Sequence, residues 1–66
     1  MDFNEFRLML IEYRKKYELT QADMARLCGV SRPTIHSIET KDGHYRPNLI
    51  TMHKIERIIK KEEGEE

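Results

Sequence analysis

Sixty-six residues allow one small domain. A chain of that length buries only about 60% of its unfolded surface, which excludes an enclosed substrate cavity. Lys and Arg number 12 and Asp and Glu number 12, a formal net charge of zero that argues against a nucleic-acid partner, but the charge is unevenly placed. Glu62, Glu63, Glu65 and Glu66 crowd into the last five residues, and residues 1–61 carry 12 cations against 8 carboxylates, a net +4. The expected organisation is therefore a mildly basic domain over 1–61 and an acidic, disordered tail over 62–66.

Between the breakers Gly29, Pro33, Gly43, Pro47 and Gly64 the apolar residues recur with helical rather than alternating period, so the predicted fold class is all-α. The first helix opens near Asp2 or Asn4, either of which can cap it, places Phe6, Leu10, Tyr13 and Tyr17 at helical spacing, and ends around Tyr17. "LTQAD" starts the second: Thr20 is the N-cap, Asp23 closes a shortened capping box, and Met24, Ala25 and Leu27 follow. Gly29, which bears no Cβ penalty in a left-handed conformation, ends this helix after roughly one and a half to two turns.

"GVSRPTIHSIE" begins a third helix despite its proline, because a first-turn residue has no intrahelical use for the missing N–H. Either Ser31 caps it or, since proline disfavours helical dihedrals in the residue before it, Arg32 does. Val30 is placed to staple against Ile35, and Ile35 and Ile38 share one face. "TKDGHYRPN", residues 40–48, reads as a loop. Asn48 then caps a fourth helix with a stripe of Met52, Ile55 and Ile59, flanked by Leu49 and Ile58 and fraying near Lys61.

The single cysteine, Cys28, closes no intrachain disulfide and fits a reducing compartment. The longest uncharged apolar run is only Leu8 to Ile11, so neither a signal peptide nor a membrane span is expected, and the chain reads as soluble and cytoplasmic. Cys28 and the histidines His36, His44 and His53 lack the close pairs of a zinc site, and a Cys and His nucleophilic pair is disfavoured because no cleft or orienting third group is apparent. No metal, cofactor or enzymatic activity is expected.

Two short helices joined by about three residues containing a glycine describe a helix-turn-helix. Residues 21–40, "QADMARLCGVSRPTIHSIET", resemble the helix-turn-helix of the Cro and phage-repressor (XRE-like) type of regulators, with Met24, Ala25, Cys28, Gly29, Val30, Ile35 and Ile38 on the pattern. "LTQ" at 19–21, "IE" at 38–39 and "RPN" before the fourth helix extend the likeness over roughly residues 6–59. The resemblance implies a compact four-helix domain of the phage-repressor type with a central helix-turn-helix, acting in sequence-specific transcriptional control.

Projected at about 100° per residue, the third helix turns Pro33, Ser37 and Thr40 away from Ile35 and Ile38, with His36 at the edge of the outer face and Arg32 flanking its start. The N-terminal residues of such a helix reach base edges in the major groove, which makes Arg32, Pro33, His36 and Ser37 the expected base contacts. Arg32 is the leading reader, because its guanidinium matches O6 and N7 of guanine together. By resemblance, base contacts fall on Arg32, Pro33 and Ser37, and Gln21 bonds a phosphate. Many members carry glutamine or serine where this chain has Arg32 and Pro33, so its site differs from theirs. Thr34 and the loop residues Lys41, His44, Tyr45 and Arg46 are the remaining expected phosphate contacts. The resemblance also places Arg14 and Glu39 as a buried ion pair linking the first helix to the end of the third.

The expected partner is a double-stranded DNA operator bound by a homodimer, with Ile50, Ile58 and the outer side of the fourth helix as candidate dimer surface or additional core. Two other functions compete with a small repressor: a DNA-binding antitoxin that also binds a protein through the fourth helix or the acidic tail, and an antirepressor or adaptor that keeps only the fold.

Overall fold

Each helix among the described residues begins at a side-chain cap that satisfies a first-turn N–H. In the computed structural model, which describes residues 2–40 and 45–62, the chain runs α1 (Phe3–Lys16), α2 (Gln21–Cys28), α3 (Arg32–Thr40) and α4 (Leu49–Glu62). Asp2 Oδ1 takes the Glu5 N–H at 2.8 Å and Asn48 Oδ1 takes the Thr51 N–H at 2.8 Å. Thr20 Oγ1 takes the Asp23 N–H at 3.0 Å while Asp23 Oδ2 takes the Thr20 N–H at 3.0 Å, a complete capping box. That Thr20 N–H holds the Asp23 carboxyl below its ordinary range. Ser31 Oγ accepts the Thr34 N–H at 3.3 Å, so Ser31 is the cap of α3, Arg32 is its first helical residue and Pro33 its second.

The helices wrap one core. Phe3, Phe6, Leu10 and Tyr13 of α1, Met24, Ala25 and Cys28 of α2, Ile35 and Ile38 of α3, and Ile55 and Ile59 of α4 are buried, with Met9, Leu19, Val30, Tyr45, Met52 and Ile58 packed around them. Burying each of the larger side chains contributes roughly 1.5–3 kcal/mol, which is what holds helices this short in place. Val30 packs against the cluster that contains Ile35, as a staple requires.

The apolar residues at the margins of the helices are less enclosed. Leu49 is 72% exposed, because it opens α4 to one side of the Met52, Ile55 and Ile59 stripe. Leu27, beside the buried arc of α2, is half exposed, and Tyr17 is an exposed C-cap whose ring rests on Tyr13 at a centroid distance of 4.8 Å. α4 runs through Glu62, close to the end expected near Lys61, with Lys60 and Lys61 in its last turn complementing the helix dipole. Residues 63–66 of the acidic tail lie outside the described residues.

Candidate nucleic-acid interface

α2 packs more extensively against α3 than any other pair of helices, and the turn between them is the three residues Gly29, Val30 and Ser31. Gly29 has φ +75°, the left-handed value that lets the chain reverse so tightly, and the Val30 N–H closes the turn on the Ala25 carbonyl at 3.0 Å. With Ile35 and Ile38 fully buried against the body, α3 presents Arg32, Pro33, His36 and Thr40 as exposed residues and Ser37 as half-buried. Of the four expected base-reading residues, Arg32, Pro33 and His36 are therefore exposed and Ser37 is partly covered, and Arg32 is the first residue of the helix.

The one carboxylate of α3 is turned inward. Arg14 Nε donates to Glu39 Oε2 at 2.8 Å and Arg14 Nη2 to Glu39 Oε1 at 2.8 Å, a two-bond fork with the Glu39 side chain only 7% exposed and that of Arg14 21% exposed. These bonds raise the Arg14 pKa above its ordinary value, outweighing the opposite effect of partial burial. Arg14 Nη1 also donates to the Leu19 carbonyl at 3.0 Å, bracing the turn into α2. The outward face of α3 consequently carries Arg32 and no acid.

The expected phosphate contacts are placed unequally. Gln21 is the first residue of α2 and half-buried, its Nε2 donating to Glu39 Oε1 at 3.1 Å. Thr34 is half-buried, with its hydroxyl 2.9 Å from that of Ser31. Arg46 is exposed, its guanidinium stacked 5.2 Å from the Phe3 ring centroid, and Tyr45 is half-buried with its side chain packed on the core. Lys41 and His44 lie outside the described residues.

Two partners escaped the sequence reading. Arg7 Nη1 donates to the Glu39 carbonyl at 3.1 Å, so α1 supplies at the C-terminus of α3 the positive charge that α3's own last turn lacks. A signal existed, since Arg7 and Arg14 are seven residues apart and so lie on one face of α1. Lys54 Nζ approaches the Gly29 carbonyl at 3.4 Å, a contact that no local pattern announces. On α4, Ile50 is 68% exposed, while Ile58 is partly buried and packs against the core. Among the described residues no three His, Cys, Asp or Glu side chains cluster as metal ligands, and no helix is long and apolar enough to cross a membrane.

Comparison with known proteins agrees with this geometry. Residues 10–65 match a family described as helix-turn-helix. A protein of Methanothermobacter thermautotrophicus, described as an uncharacterized HTH-type transcriptional regulator, is 40% identical over 60 residues, covering 91% of this chain and 84% of that one. One of Archaeoglobus fulgidus with the same description is 40% identical over 53 residues, 80% of this chain and 73% of its own. Another such regulator, from Methanocaldococcus jannaschii, is 45% identical over 47 residues, 71% of this chain and 68% of its own. No solved structure matches the chain.

Proposed function

The chain belongs to the helix-turn-helix family of transcriptional regulators, and from that premise we propose that it is a small cytoplasmic repressor that recognises a double-stranded operator with α3 in the major groove. The observation that carries this reading is the acid-free outer face of α3, with Arg32 at its start, left by the inward turn of Glu39 onto Arg14. Arg32 reads a guanine through O6 and N7, Pro33 contacts a thymine methyl, and His36 and Ser37 bond base edges or bridging water. Gln21, Thr34, Tyr45 and Arg46, with Lys41 and His44, contact the backbone, which fixes register without reading sequence.

Two copies bind together. A body of 30 × 24 × 19 Å suits side-by-side placement on successive major grooves, which recur about 34 Å apart. Exposed Ile50 on α4 is the apolar residue assigned to the contact between them. Repression follows from occupancy of the operator, and no chemical step is required.

Exposed Leu49 and Ile50 at the start of α4 also favour a second reading, an antitoxin that grips a protein through this helix while holding DNA with α3. A salt titration of binding to genomic DNA fragments tests DNA recognition in both cases. Log affinity is expected to fall linearly with log salt, with one fragment class retained at high salt. Affinity independent of salt, or equal for every fragment, contradicts sequence-specific binding.

A further inference from the structure

Gln21 and Glu39 join the two ends of the helix-turn-helix. The Gln21 amide nitrogen donates to Glu39 Oε1 at 3.1 Å, the same carboxylate receives Arg14 Nη2 and Nε at 2.8 Å each, and the Glu39 carbonyl receives Arg7 Nη1 at 3.1 Å. Donors from α1 and α2 therefore converge on one residue in the last turn of α3. A glutamine amide has two donor hydrogens and one acceptor oxygen. Glu39 occupies one hydrogen, which fixes the plane of the amide and leaves the other hydrogen and the oxygen for a ligand.

The location gives that arrangement a use. Gln21 opens α2, where first-turn N–H groups lack helical partners and the dipole is positive, so an anion is favoured beside it. An untethered glutamine loses rotamer freedom when it binds, whereas one already held by Glu39 does not. Left alone, the Glu39 carboxylate would repel a phosphate, but Arg14 neutralises it through both oxygens. The anchor is thus rigid and electrostatically neutral towards a polyanion.

We infer that Glu39 is a positioning residue for DNA binding: its bond to Gln21 preorganises the free amide hydrogen for a backbone phosphate, while its bonds to Arg14 and Arg7 hold α3 in register with that contact. The inference rests on the DNA-binding reading above.

The test compares wild type with Gln21→Ala, Glu39→Ala and the double variant, binding one selected DNA fragment at a temperature where circular dichroism shows every protein folded. The Gln21 side-chain amide is followed by nitrogen-15 NMR without DNA. Gln21→Ala and Glu39→Ala should each weaken binding by about tenfold, the scale of one hydrogen bond to a charged partner, and the double variant no more than either alone. Without DNA, the two Gln21 amide protons should be well separated and slow to exchange in wild type, and solvent-like in Glu39→Ala.

Should Glu39→Ala fail to fold, the paired replacement Arg14→Met with Glu39→Met removes the anchor without leaving a buried charge, and the same non-additivity with Gln21→Ala is expected of it. Losses that multiply, or unchanged affinity in a folded anchor variant, overturn the inference. An ordered Gln21 amide in a wild-type protein that binds no DNA overturns the DNA-binding reading, and the positioning role falls with it.

Discussion

Glu18 and Gly29 lie in the turns that close successive helices, both with the positive φ of the left-handed region, +55° and +75°. In both turns the next N–H reaches back five residues, Leu19 to the Arg14 carbonyl at 2.9 Å and Val30 to the Ala25 carbonyl at 3.0 Å. Glycine adopts this region freely and glutamate does not. Replacement at the two positions should therefore have opposite signs. Glu18→Gly should stabilise the fold by about 0.5–1 kcal/mol, and Gly29→Ala should cost about 1 kcal/mol. A Cβ on Gly29 would meet no atom within 4 Å, so that cost is backbone strain alone. Urea unfolding midpoints at unchanged slope check both signs.

The same pair shows where the sequence was legible. Gly29 announces the end of α2, and Thr20 with Asp23, Ser31 and Asn48 announce the helix starts, because each acts through chemistry confined to three or four residues. Glu18 announces nothing, since a glutamate acquires its left-handed conformation from the turn around it and from Arg14 bonding the Leu19 carbonyl. The outer face of α3 was readable from Ile35 and Ile38 by period alone. Its tether was readable only in part: Arg14 and Glu39 came from family resemblance, whereas Arg7 and the Gln21 bond join residues 32 and 18 positions apart in the chain. The exposure of Leu27 and Leu49 was missed because hydropathy does not record which side of a short helix meets a neighbour.

Breaking the Arg14–Glu39 fork should be costly in stability. Glu39→Gln leaves a partly buried guanidinium without its counter-charge, and one-sided removal from such a pair typically costs about 3 kcal/mol. Arg14→Lys should recover little, because an ammonium cannot form the two parallel bonds. Since Glu39 raises the Arg14 pKa, the stabilisation is fully present below the ordinary arginine range and is lost only above it. Thermal melts at pH 6 and pH 9 should show the same deficit for Glu39→Gln relative to wild type. A melting temperature within the range of surface substitutions would contradict the role assigned to the pair.

Cys28 should be chemically silent until the domain opens. Its side chain is buried among core residues, and burial pushes the thiol pKa up to about 11 from an ordinary 9.0, with the positive charge of Arg57 opposing only part of the shift. The folded protein therefore keeps the proton between pH 9 and 11 while the unfolded chain releases it, so this group's contribution to stability is full below 9 and is lost as pH rises through 11. At pH 8 a thiol reagent should modify the native protein far more slowly than the urea-unfolded chain. Fast labelling of the fully folded protein would show that the thiol is accessible.

Arg32 and Arg46 should fail differently when truncated. Arg32 is exposed at the first position of α3 and is the residue assigned to a base edge in the proposed complex, whereas Arg46 precedes α4 and is stacked on Phe3. Arg32→Ala should relax preference at one base pair by about 1–3 kcal/mol and leave binding to unrelated DNA nearly intact. Arg46→Ala should weaken all sequences by a similar factor and reduce the slope of log affinity against log salt by about one phosphate contact. Both substitutions lie outside the core, so melting temperatures should stay near wild type and separate a lost contact from a lost fold. Selection from a randomised DNA pool, repeated for each variant at two salt concentrations, makes the distinction. Uniform loss across sequences for both variants would mean that Arg32 touches the backbone and that sequence is read by Pro33, His36 or Ser37 instead.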